Sequence, residues 1–600
     1  MTRDEDGYAP LRDYAAIGDG RTVALVAFDG SIDWLPFPSL HSAPVFAALV
    51  DSAKGGRMTL RPVAPFRASR SYIAGTNVLE TRYVTDSGEV AVTDALVTGV
   101  AGRLHWGELA RRIDGISGSV ELEWEASPGN LFGTGSFERR STMHGPVLGA
   151  DDVNLIVVGM HHGPSVGDSA TFAGRFTTAP ASRHVIVLCG TDDEPVHIPD
   201  PAVVDSGIDR TIESWQTWSR EFSYDGPWAR EVQRSALALK LLIFSPTGAI
   251  AAAATTGLPE SPTGGKNYDY RFAWVRDLAY TVGALVRFGL REETHAAVSW
   301  ALDCLKSHSD DLPVFFDLTG RLPGGTDELR ADGWRGIGPV TAGNPAAGQA
   351  QLGIYADVLG IMRQYVEAGN ILDLRTGELL RSFTDGACRA WQKKDSGMWE
   401  LPHKQHYLAS KIGCWRAISD ACQLAEWGQI DASDDELARW RHNRDLIEQW
   451  ISDKCWSERR GSYVMYPGTD ALDTAVLIHA GTQFGPAARM TATIAAIRSE
   501  LAVGPLVYRY SGVETEESAF VACSFWLAEA YARTGDSREA AALVDALIPL
   551  ANDVGLYAEM IDPADEQFWG NLPQALSHLA LINAVMAIND AREDSPEGSA

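Results

Sequence analysis

Long apolar runs are missing from this 600-residue chain. None reaches the roughly 20 residues that a helix needs to cross a bilayer, so no membrane partner is expected. The first residues, Met1 to Asp6, are polar and acidic and lack the apolar core of a secretory signal, which predicts a cytoplasmic location. Cysteine is scarce: seven residues, an odd number, with no C-x-x-C pair. That excludes a disulfide framework and a thiolate metal centre. Positive charge is short as well, with 51 Lys and Arg against 79 Asp and Glu and a net charge of −28. Phosphate-backbone binding needs the opposite balance, so nucleic acid is excluded as a partner and the charge reads as a solubility device.

Other signatures are absent too. The glycines between Gly257 and Gly265 do not form a G-x-x-x-x-G-K-[ST] phosphate loop. The one G-x-S-x-G string, Gly163 to Gly167, has no helix after it, and a nucleophile elbow requires one. His403 and His406 have no third ligand at sensible spacing, so no metal and no cofactor is expected.

What is present divides the chain. Its length is too great for one core. Residues 1–202 carry short strand-like runs, such as Val23 to Phe28 and Ser31 to Leu35 around the Asp29-Gly30 turn. They predict an antiparallel β-sandwich. An amphipathic helical linker spans 203–225, and Gly226-Pro227 marks a break. From 226 to 590 the pattern is helical, with twelve helices at about 228–245, 272–289, 292–307, 346–369, 375–394, 407–427, 433–454, 470–479, 484–499, 516–534, 536–552 and 571–589. Their connections alternate long and short. In a chain of antiparallel helices this puts every long loop on one face, where function concentrates. Six hairpins closed into an (α/α)6 barrel fit the pattern. An open solenoid fits less well, because no repeated motif is found. Residues 591–600 read as a disordered tail.

The long-loop face gathers unusual chemistry. N-Y-D-Y-R-F-A-W-V-R-D at 267–277 packs rings with charges. Glu400 follows Trp399 and precedes Pro402 by two residues, and Glu559 sits in an apolar stretch. Two carboxylates among aromatics match glycoside hydrolysis, in which one must hold a proton near neutrality and the other must stay ionised. Rings suit sugar faces, and Arg with Asp suits hydroxyls. Taken singly, each residue has a plainer reading as a solvated carboxylate or a salt bridge of little consequence. Their shared face favours the chemical reading.

The chain resembles family 15 of the glycoside hydrolases, which holds glucoamylases, bacterial trehalases and related exo-α-glucosidases. The resemblance is carried by residues 17–35 and 267–277, by G-N-P-A-A-G-Q-A-Q-L at 343–352, S-G-M-W-E-L at 396–401, the run at 517–530, E-M-I-D-P at 559–563 and the run at 570–584. It implies an inverting exo-acting hydrolase of a small α-glucoside that releases β-glucose. By motif position Glu400 is the general acid and Glu559 the general base. Arg276 and Asp277 grip the terminal glucose, Arg509 lies near the cleaved bond, and Trp274 and Trp399 wall the pocket. Tyr270, Trp334 and Lys411 complete the expected sugar contacts. The two carboxyl groups should stand roughly 6.5–9.5 Å apart.

The segment from Leu401 to Lys411, Gly353 and Thr341 depart from the trehalase-like pattern. Trehalose, isomaltose-type glucosides and malto-oligosaccharides therefore stay open, as does a homo-oligomer. The alternatives are a sugar phosphorylase of similar architecture and a catalytically inactive carbohydrate-binding homologue.

Overall fold

Short strands joined by tight turns pair with their neighbours in antiparallel fashion, and the first domain follows that rule. The computed structural model describes residues 3–99, 104, 106–159, 170–222, 224–308 and 312–593. One antiparallel sheet runs in the order Tyr14–Gly18, Val23–Ala27, Ile32–Pro36, Gly56–Pro62, Glu121–Pro128 and Phe172–Thr177, with Pro44–Phe46 paired to Ile32–Pro36. A second runs Glu138–Thr142, Gly145–Ala150, Val153–Gly159, Arg183–Asp192, Gly107–Gly118, Gly88–Leu96, Leu79–Thr85 and Arg67–Tyr72. The sheets are tied together by polar side chains. The Tyr72 hydroxyl donates to the Ala16 carbonyl at 2.7 Å, and buried Arg111 donates to the Gly30 carbonyl at 2.7 Å while pairing with Asp94.

Helix α1, Pro201–Glu221, begins where the Asp200 side chain accepts the Ala202 N–H and Pro201 takes the first position. Eleven more α-helices follow: α2 Ala229–Leu242, α3 Val275–Arg287, α4 Arg291–Leu305, α5 Ile354–Glu367, α6 Leu374–Ala390, α7 Leu408–Glu426, α8 Asp434–Lys454, α9 Ala487–Leu501, α10 Val521–Arg533, α11 Ser537–Leu547 and α12 Ala575–Glu593. Helix α3 packs on α5, α5 on α7, and α7 on a 3₁₀ helix, Thr474–His479. That turn packs on α10, α10 on α12, and α12 back on α3, so the ring closes. Helices α2, α4, α6, α8, α9 and α11 lie against it from outside, whereas α1 packs on the strands Arg183–Asp192 and Gly107–Gly118 of the second sheet. Their sequences explain the difference. Helix α12 buries residues on every side, as an enclosed helix must, whereas α8 buries only Trp440, Ile447 and Ile451 of its 21 residues.

The long connections meet at one end through small pairings. Ala273–Trp274 pairs with Phe315–Phe316, Asp473 bridges Tyr510, and Ala519–Phe520 pairs with Met560–Ile561, which in turn pairs with Phe568–Trp569. The first domain supports this end. Trp34 donates to the Ala254 carbonyl at 2.9 Å, and Arg271 donates to the Ser42 carbonyl at 2.8 Å.

Two expected helices are corrected. Over 470–479 the chain stays extended through Asp473, with φ −142°, because that residue pairs with Tyr510; only Thr474–His479 turns, as a 3₁₀ helix. Over 346–369, Asn344 caps a separate 3₁₀ turn at Pro345–Gly348, and α5 begins only at Ile354. Helix α12 runs to Glu593, and residues 594–600 of the expected tail lie outside the described residues, as does the string Gly163 to Gly167.

Candidate active site

The segment 267–277 divides into a brace and a clamp. Arg271 is the brace: its guanidinium makes two bonds of 2.9 Å to Asp269 and a third to Ser42 of the first domain. Trp274 then pairs in a short strand and stacks on Phe315, with ring centroids 4.6 Å apart. Helix α3 starts at the next residue and presents Arg276 and Asp277, which pair at 3.1 Å. Arg276 also donates to the Met398 carbonyl at 2.8 Å, so the clamp is fastened to the segment that carries Glu400.

Glu400 takes φ +59°, a left-handed conformation uncommon for a residue with a side chain. Such conformations persist where the surroundings over-determine them, often at functional sites. Here Gln349 donates to the Glu400 carbonyl at 3.1 Å, and the Leu401 N–H to the Ser396 carbonyl at 3.0 Å. Burial pushes the Glu400 carboxyl up to about 7, against the pull of Arg276 and Arg509. Trp399 is pinned by its indole N–H, which donates to Asp473 at 2.7 Å, and its ring lies under the Arg509 guanidinium, 5.6 Å away.

Glu559 is 1% exposed and directly precedes the strand Met560–Ile561. Its N–H donates to the Asn571 carbonyl at 3.1 Å, and its Oε2 accepts the Asn571 N–H at 3.3 Å. Oε1 is buried and, among the described residues, has no partner at good hydrogen-bond geometry, with the Tyr270 hydroxyl beside the carboxyl. Burial raises this carboxyl to about 7, with the charge of Arg509 opposing the rise.

Arg509 lies within electrostatic reach of both carboxyls. It pairs with Glu260 and Glu517, and Glu517 also takes Lys266 at 2.7 Å. Tyr270 places its hydroxyl 3.5 Å from Glu260, and its surroundings include Glu559 and Glu400. The structure thus brings together Glu400, Glu559, Tyr270, Trp274, Arg276, Asp277, Trp399 and Arg509. It adds Glu260, Glu517 and Asp473, which the sequence analysis did not single out. The only sequence cue for Glu260 is a glutamate between prolines in a long loop.

Two expected sugar contacts are engaged elsewhere. Trp334 is 1% exposed and spends its indole N–H on the Ala9 carbonyl at 3.0 Å, while its ring packs edge-on against Trp569; it docks the two domains. Lys411 is fully buried in the first turn of α7, where its ammonium donates to the Lys393 carbonyl and faces Asp395 rather than the carboxylate cluster. Desolvation lowers its proton affinity.

Known proteins are similar to this chain over nearly its whole length. A model of glycosyl hydrolases family 15 matches residues 227–586, and one described as trehalase-like, N-terminal, matches residues 6–195. A protein of Mycolicibacterium smegmatis named trehalase is 31% identical, covering 98% of this chain and 92% of its own length. A trehalase of Mycobacterium tuberculosis is 30% identical over 98% of this chain and 91% of its own. One of Thermoplasma volcanium is 28% identical, with 98% and 94% covered. Among solved structures, a bacterial glucoamylase complexed with acarbose has a TM-score of 0.73 at 13% identity, covering 98% of this chain and 96% of that one. That likeness is one of fold; function has to be argued from the site.

Proposed function

The chain belongs to family 15 of the glycosyl hydrolases, and from that premise we propose that it is an inverting, exo-acting hydrolase of small α-glucosides, with trehalose as its substrate. The closed ring of helices supports an (α/α)6 barrel as the catalytic domain, and the two tied antiparallel sheets support a β-sandwich in front of it. The observation that carries the reading is the pair of carboxyls, Glu400 and Glu559. They come from different long loops, and burial holds both near neutral proton affinity beside one arginine.

In this mechanism Glu400, protonated, donates to the glycosidic oxygen as the bond breaks. Glu559, ionised, takes a proton from a water that attacks the anomeric carbon from the opposite face. Its buried Oε1, beside the Tyr270 hydroxyl, suits that task. Arg276 and Asp277 hold hydroxyls of the terminal glucose, with Trp274 and Trp399 as walls. Arg509 lies where charge shifts during cleavage. Several relatives named trehalase, aligned over 98% of this chain, support trehalose. The departures at Leu401 to Lys411 and at Gly353 keep isomaltose and maltose in the comparison. We place the enzyme in the cytoplasm, acting without a cofactor.

Purified protein given trehalose in phosphate-free buffer tests this. Glucose release supports hydrolysis, a strict need for phosphate points to a phosphorylase, and binding without cleavage points to an inactive homologue. Isomaltose, maltose, kojibiose and nigerose assayed alongside rank the linkages.

A further inference from the structure

Three parts of the site meet on one tripeptide, Pro259-Glu260-Ser261. The Pro259 carbonyl accepts the Gly570 N–H at 2.7 Å, from the loop that carries Glu559. The Glu260 carbonyl accepts the Ser518 N–H at 3.1 Å, and the Ser261 hydroxyl donates to the Glu516 carbonyl at 2.9 Å, both in the loop after Arg509. The Glu260 side chain, in a residue 2% exposed, points into the cluster. One of its oxygens pairs with Arg509 and the other lies 3.5 Å from the Tyr270 hydroxyl.

A buried carboxylate is costly unless it is paired, so its position carries information. The titratable groups that face one another here are Glu260, Glu400, Glu516, Glu517, Glu559 and Asp277 against Arg276, Arg509 and Lys266, with Tyr268 and Tyr270 among them, and burial together with Glu559 pushes the Glu260 carboxyl well above its usual range against the pull of Arg509. Acids outnumber bases. Each carboxylate therefore makes it harder for the next to ionise. The Glu260 carboxyl acts on its neighbours through Arg509 and Tyr270.

We propose that Glu260 is a positioning residue for hydrolysis: it holds Arg509 and Tyr270 in place beside Glu559, and its carboxyl is part of the field in which Glu559 takes up its proton. The inference rests on the assignment of Glu559 as the base.

The test is the pH profile of kcat/KM for trehalose hydrolysis in the full chain, comparing wild type with Glu260→Gln, Glu260→Asp and Glu559→Gln. Glu260→Gln keeps the shape and removes the carboxyl that competes with Glu559 for ionisation. Its acid limb should move down by about one pH unit, and kcat should fall about tenfold, at unchanged melting temperature. Glu260→Asp keeps the carboxyl at shorter reach, so its limb should stay while kcat falls. This second variant decides the matter if the first folds poorly. A Glu260→Gln enzyme with wild-type kcat and an unmoved limb, or a Glu260→Asp enzyme with wild-type kcat, overturns the inference. Glu559→Gln separates the two readings. If it turns over normally, the base assignment itself has failed; if it is inactive while Glu260→Gln is unaltered, only the positioning role falls.

Discussion

A β-carbon on Gly570 would stand 2.5 Å from the Oε2 of Glu559 and 2.7 Å from its Cβ. Gly570 also holds φ +72°, where a side chain is strained. Glycine is therefore required next to the proposed base. Gly570→Ala should cost roughly 1–3 kcal/mol in backbone strain. It should also push the carboxyl out of place. A misplacement of about 1 Å is enough to lower turnover roughly a hundredfold. Steady-state kinetics and thermal melting check this, and an alanine variant with wild-type kcat would contradict it.

Glu400→Gln removes the proton that the proposed acid would donate and leaves Arg276 and Asp277 untouched. The expected outcome is a KM close to wild type and a kcat lowered by roughly 10²–10⁴. Near-normal turnover would take Glu400 out of the role.

The pH dependence of stability follows from Glu559. Its carboxyl is raised from 4.5 to about 7 by burial, so the folded protein binds this proton more tightly than the unfolded chain. The stabilisation is complete below the unfolded value and is lost as pH rises through about 7. Glu559→Gln is neutral throughout. Measured by melting temperature, the variant should gain on the wild type between pH 5 and pH 8. A difference that stays flat over that interval would show that the carboxyl is not raised.

Asp473 accepts the indole N–H of Trp399 and caps the Ala475 N–H at 2.9 Å. Asp473→Ala leaves the buried Ala475 N–H without a partner, at roughly 1–3 kcal/mol, and frees the part-buried Trp399 indole. It also loosens the residue before Glu400. Asp473→Asn retains an acceptor and should recover most of the melting temperature. Equal losses in the two variants would count against the hydrogen bond as the cause.

Much of the fold is legible in the sequence where periodicity is strong. Helices α10 and α12 are apolar on nearly every side and were expected close to where they lie. Thr474–His479 misleads because A-V-L-I-H looks like the core of a helix, and nothing local reveals that Asp473 pairs with Tyr510. The edge strand Arg67–Tyr72 alternates only between half-buried and exposed residues, so no apolar run marks it. At the site, the W-E and E-M-I-D motifs carry their own signal. Glu260 does not, because its partner Arg509 lies 249 residues away. The burial of Trp334 is hidden in the sequence for a related reason. A tryptophan beside an arginine in a long loop resembles a sugar wall, yet its partner, Ala9, belongs to the other domain.

The most direct test of the account is the anomeric form of the first glucose released. Trehalose joins two α-linked glucose units through their anomeric carbons. Inversion at one carbon frees that unit as β-glucose and leaves the other α. Proton NMR in the first moments of hydrolysis, before mutarotation, should show the two anomers in equal amounts. A spectrum containing α-glucose alone would mean retention, and Glu559 would then not be the base of an inverting reaction.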